Sequence, residues 1–291
     1  MILKNKIIEL TGCLERAGVE DPRRAARAMI AHAAGISRVD QITNPDTVLS
    51  SEQIDQIDVM TKRRLQGEPL SRILGRREFY GLDFLVSPAT LDPRPETELL
   101  VDRACAFIDS RLENADDTRP ISILDLGTGT GCIPISILTQ YPAARAVAVD
   151  ISADALAVGA SNARVHGVAD RLALVQSDWF DALSHVTFDL VISNPPYIAE
   201  DVVPTLDAAV RDFDPALALI GGADGMDPYR VIFADIPRYL KPGGLGLFEI
   251  GFDQAEGVTD LAKRAGLDVC GVWNDDAGIP RVVGVRVGTG R

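Results

Sequence analysis

From residue 121 onward, short apolar runs alternate with longer stretches of helical composition, and no other feature of the chain restricts its fold so tightly. The runs fall at 121–126, 146–150, 172–176, 188–193, 245–250, 269–273 and 282–287. They are too short for buried helices and too continuously apolar for strands with one wet face. The pattern therefore predicts an α/β fold: a seven-stranded, mostly parallel sheet covered by helices on both faces. Only residues 274–281 separate the last two runs, which leaves no room for a crossover helix. These two are expected to form an antiparallel pair at one end of the sheet.

The first 75 residues read differently. Asp21-Pro22 supplies an N-cap and a first-turn proline ahead of a stretch rich in alanine and arginine. Ser50 and Gln53 have the spacing of a capping box, with Ile54, Ile57 and Met60 marking an apolar face and Lys62, Arg63 and Arg64 near the helix end. Between 76 and 95 the composition shifts to short runs of Phe, Tyr and Val, which suggests a hairpin. The expected organisation is a helical domain over 1–75, a hairpin-like connector over 76–95 and a ligand-binding domain over 96–291.

Charge follows the same division. The 291 residues carry 29 Lys and Arg against 42 Asp and Glu, a formal charge of −13. Residues 1–75 hold 11 basic and 10 acidic side chains, leaving 18 and 32, a net of −14, for the remainder. A phosphate backbone is a poor partner for such a surface, so nucleic acid is not expected as a direct substrate. The four cysteines (Cys13, Cys105, Cys132, Cys270) and three histidines (His32, His166, His185) show no ligand spacing, so neither a metal nor a catalytic role is expected for them. Lys4, Lys6 and Glu9 interrupt the opening apolar stretch and no later run is long enough to span a bilayer. The expectation is a cytoplasmic protein with no membrane partner.

The first strand runs into Asp125-Leu126-Gly127-Thr128-Gly129-Thr130-Gly131 and then a helix. Glycines at the carboxyl end of a parallel strand let a ligand approach the backbone, and exposed amides there suit a nucleotide-like group. The spacing is G-x-G-x-G. A dinucleotide fingerprint needs a sixth-position glycine where Cys132 stands, which weakens a nicotinamide or flavin reading. The second strand closes on Asp150, placed to accept from both ribose hydroxyls; Ser152 can cap the next helix without it. Asp178 and Trp179, after the third strand, offer an acceptor for an adenine amine and a flat ring for its face, although Trp179 can equally be core.

The fourth strand ends in Ser193-Asn194-Pro195-Pro196-Tyr197. Two consecutive prolines fix their φ angles and donate no amide hydrogens, which makes the turn rigid. The Asn194 side-chain oxygen and the Pro195 carbonyl can then accept both hydrogens of one external NH2 group. A delocalised amide or arylamine nitrogen is a poor nucleophile, and this grip favours the pyramidal geometry needed for attack. Tyr197 can pack against the planar group. A plain tight turn is the alternative, but this one falls at the same sheet edge as the glycine loop.

These residues resemble the class I S-adenosylmethionine-dependent methyltransferases acting on planar nitrogen, whose sheet is Rossmann-like. Within them, nearly the whole chain is similar to the peptide chain release factor N5-glutamine methyltransferase family. Asn194-Pro195-Pro196-Tyr197 is shared with adenine methyltransferases; Glu78-Phe79-Tyr80-Gly81 and Pro93-Arg94-Pro95-Glu96-Thr97-Glu98 narrow the match, with Gly221-Gly222-Ala223-Asp224-Gly225 in support. The resemblance implies an enzyme that methylates the glutamine of a release factor's Gly-Gly-Gln loop by direct in-line transfer, converting S-adenosyl-L-methionine to S-adenosyl-L-homocysteine without a metal. It implies that Gly127, Thr128, Gly129, Thr130, Gly131, Asp150, Trp179 and Asn194 contact the cofactor. It also implies that Asn194, Pro195, Pro196 and Tyr197 hold the substrate glutamine, with Asn194 and Pro195 as the catalytic pair. Asp92, Ala209 and Ile220 depart from the family pattern outside this core. A ribosomal protein glutamine is the near alternative substrate, and an adenine in nucleic acid the more distant one. The helices of 1–75 are expected to recognise the protein substrate, and the stretch 199–229 reads as a lid or a solvated insertion.

Overall fold

The computed structural model describes residues 1–113, 119–184 and 186–288, so His185 lies outside the described residues. The chain divides into two compact units, Met1–Gly75 with Ala208–Phe213, and Arg76–Asp207 with Asp214–Arg291.

The first unit is helical: α1 (Leu3–Arg16), α2 (Pro22–Ala34), the single turn α3 (Asp40–Thr43), α4 (Ser51–Leu65) and α5 (Leu70–Leu74). Asp21 caps α2 by accepting from the Arg24 amide at 3.3 Å, with Pro22 in the first turn. At α4 the capping box closes both ways: the Gln53 amide donates to Ser50 Oγ at 3.2 Å, and the Ser50 amide to Gln53 Oε1 at 2.9 Å. Leu3, Leu10, Leu14, Met29, Ile30 and Ile57 form a closed apolar core. Lys6 is buried beside it, its ammonium held by Asp58 at 2.7 Å and Glu9 at 3.1 Å.

The second unit opens with a hairpin of β1 (Arg76–Phe79) and β2 (Leu82–Leu85). Its two-residue turn places Tyr80 at φ 53° and Gly81 at φ 73°, the left-handed pair that matches strand twist. There follow α6 (Glu98–Leu112), β3 (Ser122–Leu126), α7 (Cys132–Gln140), β4 (Arg145–Asp150), α8 (Ala153–Val165), β5 (Leu172–Gln176) and β6 (Phe188–Ser193). After α9 (Ala208–Arg211), which belongs to the first unit, come α10 (Asp227–Asp235), β7 (Leu240–Glu249), α11 (Ala255–Arg264), β8 (Leu267–Asn274) and β9 (Pro280–Val287). No helix among the described residues is long and apolar enough to cross a membrane.

The large sheet has the order β5-β4-β3-β6-β7-β9-β8. It is the expected seven-stranded, mostly parallel sheet with an antiparallel pair at one end. Pairing is parallel from β5 to β7, and β9 runs antiparallel to both β7 and β8. The last strand thus inserts between its two predecessors, completing the hydrogen bonding of β7 and leaving β8 at the edge. One apolar cluster, with Leu100, Ile108, Ile123, Ile135 and Ile192, covers one face; another, with Leu124, Val191, Tyr229, Phe233 and Phe248, covers the other. The order reverses between β3 and β6, and at such a switch point the loops leave opposite ways and open a crevice.

Candidate functional site

A cavity of about 630 Å³ occupies that crevice, at the carboxyl ends of β3, β4, β5 and β6. Of the residues singled out from sequence, Gly127, Thr128, Gly129, Thr130, Asp150, Asp178, Trp179, Asn194 and Pro196 line it. Gly131, Pro195 and Tyr197 are not among the lining residues.

Gly131 explains its own position. It caps α7 at φ 76°, and a Cβ there would lie 3.0 Å from Ile135 Cδ1 and 3.6 Å from the Gly159 Cα of α8. Its absent side chain lets two helices close over the loop. Pro134 is tolerated because it falls in the first turn of α7, where an amide would have no intrahelical partner.

Four of the loop's amides bond within the protein. Those of Gly127 and Thr128 both donate to the Val149 carbonyl at 2.9 Å, that of Gly131 to the Thr128 carbonyl at 2.9 Å, and that of Gly129 to Asp150 Oδ2 at 2.8 Å. The Val149 carbonyl, the Asp150 carboxylate and the loop's own Thr128 carbonyl take these four amides. A free polar atom remains: Thr128 Oγ1 is buried without a partner. Asp150 is braced on its other oxygen by the Ser152 amide at 2.9 Å, while Ser152 itself caps α8. Each carboxylate oxygen retains a second lone pair for an external hydroxyl.

Asp125, at the end of β3, is fully buried and neither carboxyl oxygen has a partner within hydrogen-bonding geometry. Burial pushes it up to about 7 against the neighbouring Thr128 hydroxyl, which favours the charged form, and the charge of Asp150 adds to the rise. Trp179 sits at φ 43°, a backbone region costing a non-glycine residue about 1–3 kcal/mol. Trp179 both lines the cavity and packs against the second core cluster.

The turn after β6 is held from several sides. Ser193 Oγ donates to the Leu126 carbonyl at 2.7 Å, tying β6 to β3. Asn194 Nδ2 donates to Thr97 Oγ1 at 3.1 Å. Gln254 Nε2 donates to the Tyr197 carbonyl at 2.9 Å and the Gly225 carbonyl at 3.3 Å, and its Oε1 accepts from the Gly251 amide at 2.9 Å. The Tyr197 hydroxyl points away from the cavity to Glu249 Oε1 at 3.4 Å, against the second core cluster. Residues 198–221 return to the turn through reciprocal bonds: the Ile198 amide to the Leu219 carbonyl, and the Gly221 amide to the Ile198 carbonyl, both at 2.9 Å. Arg94 on the cavity wall pairs with Asp214 at 2.5 Å.

Sequence reasoning gave no role to Thr97, Glu249 or Gln254. Glu249 had a signal, an acid inside the apolar run of β7. It is buried, and burial pushes it up to about 7. Thr97 had none, since its importance lies in a contact across 97 residues of chain.

Comparison with known proteins places this geometry. Residues 7–75 match the family model described as the PrmC N-terminal domain, and residues 98–214 that described as the methyltransferase small domain. The chain is 43% identical over 273 residues to the release factor glutamine methyltransferase of Agrobacterium fabrum (strain C58 / ATCC 33970), covering 94% of this chain and 93% of that one. It is 39% identical over 284 residues to the protein of the same name from Geobacter sulfurreducens (strain ATCC 51573 / DSM 12127 / PCA), covering 97% and 96%. A solved methyltransferase from Pyrococcus furiosus superposes with a TM-score of 0.51 at 14% identity over 71% of this chain and 89% of that one, a likeness of fold alone.

Proposed function

Since the chain belongs to the release factor glutamine methyltransferase family, we propose that it methylates the side-chain amide nitrogen of the glutamine in the Gly-Gly-Gln motif of peptide chain release factors. The methyl donor is S-adenosyl-L-methionine and the product S-adenosyl-L-homocysteine. The observation that carries this reading is the Asn194-Pro195-Pro196-Tyr197 turn beside the glycine loop, with Asn194 on the wall of one shared cavity.

The residues present suit a nucleoside carrying no phosphate. Four loop amides bond internally, while Asp150 keeps acceptor capacity for ribose hydroxyls, Asp178 can accept from an adenine amine, and Trp179 offers a ring face. The buried, unpartnered Thr128 Oγ1 is available to a polar group of the ligand. When bound, the sulfonium supplies a methyl group already activated by positive charge.

The protein's own task is then position. Asn194 Oδ1 and the Pro195 carbonyl accept the two hydrogens of the glutamine NH2, reducing delocalisation of its lone pair and aiming it along the transfer direction. The surplus proton leaves to water after transfer, and no covalent enzyme intermediate or general base is required. The helical unit of 1–75 contributes recognition of the release factor beyond its small loop. A reaction on release factors places the work in the cytoplasm.

Incubating the purified chain with methyl-labelled S-adenosylmethionine and a release factor tests the reading. One methyl group per release factor is expected; an unlabelled release factor beside a labelled ribosomal protein would transfer the reading to the alternative substrate.

A further inference from the structure

An asparagine amide has nearly the same shape either way round, so its orientation is fixed only by what its two ends meet. If Asn194 is to accept from a substrate NH2, its Nδ2 end must be held elsewhere. The holder is Thr97, 2% exposed, at the end of the 3-10 turn Pro95–Thr97 that leads into α6.

A threonine hydroxyl can accept or donate. Its single proton decides which end of Asn194 it tolerates. In the structure Thr97 Oγ1 is the acceptor, taking the Asn194 Nδ2 hydrogen at 3.1 Å. Only the NH2 end of Asn194 then fits against it.

We propose that Thr97 is a positioning residue that locks the Asn194 amide with Nδ2 inward and Oδ1 toward the cavity. The inference deepens the proposed reaction and rests on it for the identity of the NH2 group received by Oδ1.

The test uses the full chain with Thr97→Val and Thr97→Ser. In the 15N-labelled protein without cofactor or substrate, the Asn194 side-chain amide signals are identified by their loss in Asn194→Asp. They should shift in Thr97→Val and stay near their wild-type position in Thr97→Ser. In methyl transfer, Thr97→Val should lower kcat by roughly 30-fold with KM for S-adenosylmethionine within about 2-fold, and Thr97→Ser should remain within about 3-fold of wild type. Unmoved Asn194 signals in Thr97→Val would overturn the proposal. So would equal kcat losses in Ser and Val, or a Val loss shared by KM for S-adenosylmethionine and thermal stability, because either marks a packing role. If the signals follow Thr97 while the wild-type protein methylates no release factor, the positioning role stands and the substrate reading falls.

Discussion

Gly221→Ala should impair turnover far more than folding. Gly221 packs against the Asn194–Tyr197 turn, and a Cβ there would lie 2.6 Å from the Pro196 carbonyl oxygen, 2.8 Å from that of Gly225 and 2.9 Å from the Tyr197 Cα. All three are backbone atoms, so no side chain can swing aside. Restoring ordinary contact at ~3.4 Å requires the two segments to part by about 0.5–0.8 Å. Misplacing a catalytic group by about 1 Å costs on the order of 100-fold in rate, so kcat should fall roughly 10- to 100-fold. Overpacking of this kind costs about 1–3 kcal/mol of stability, a loss that leaves a protein of this size folded. Initial rates with release factor and S-adenosylmethionine, beside thermal unfolding, read both quantities. A kcat within 2-fold of wild type would refute the reasoning, since it would mean the turn tolerates displacement and does not work by precise positioning.

Asn194→Ala should keep the fold and nearly abolish turnover, about 100-fold or more, measured by single-turnover methyl transfer. Asp150→Ala, which frees the Gly129 amide and removes the strand-end carboxylate, should weaken S-adenosylmethionine binding by roughly 10-fold or more in calorimetry. Asp125 is held near 7, above its ordinary value of 3.8, so the folded state binds this proton more tightly than the unfolded chain. Its stabilising contribution is complete below about 3.8 and lost as pH rises through about 7; Asp125→Asn should therefore gain melting temperature relative to wild type between pH 6 and 8. Gly12→Ala, inside α1 with its nearest neighbour Arg16 Nη1 at 3.4 Å, should stabilise by about 0.5–1 kcal/mol in denaturant unfolding without changing turnover.

The sheet was legible in the sequence because a strand buried on both faces must be apolar throughout, as in β3 and β6, while the edge strands β5 and β8, with exposed positions, were legible from their short apolar runs. The position of β9 was not: both neighbours offer it an antiparallel edge, and only three-dimensional closure puts it between β7 and β8. The glycine loop and the Asn194–Tyr197 turn announced themselves because glycine and consecutive prolines signify specific backbone geometry. Hydrogen-bond commitments are a different matter. That Val149 and Asp150 absorb the loop amides depends on parallel pairing of β3 with β4, which no local pattern encodes. Thr97 and Gln254 escaped for the same reason, since each reaches its partner across a long sequence separation and belongs to a residue type common on any surface.

The central claim, that the turn after β6 methylates one glutamine side chain, is tested most directly by mapping the transferred label. A release factor and the same factor with its Gly-Gly-Gln glutamine changed to asparagine are incubated with the chain and labelled S-adenosylmethionine, and the peptides are read by mass. The account predicts label on that glutamine in the first and none in the second. Equal labelling of both factors, or label at any other residue, would contradict it.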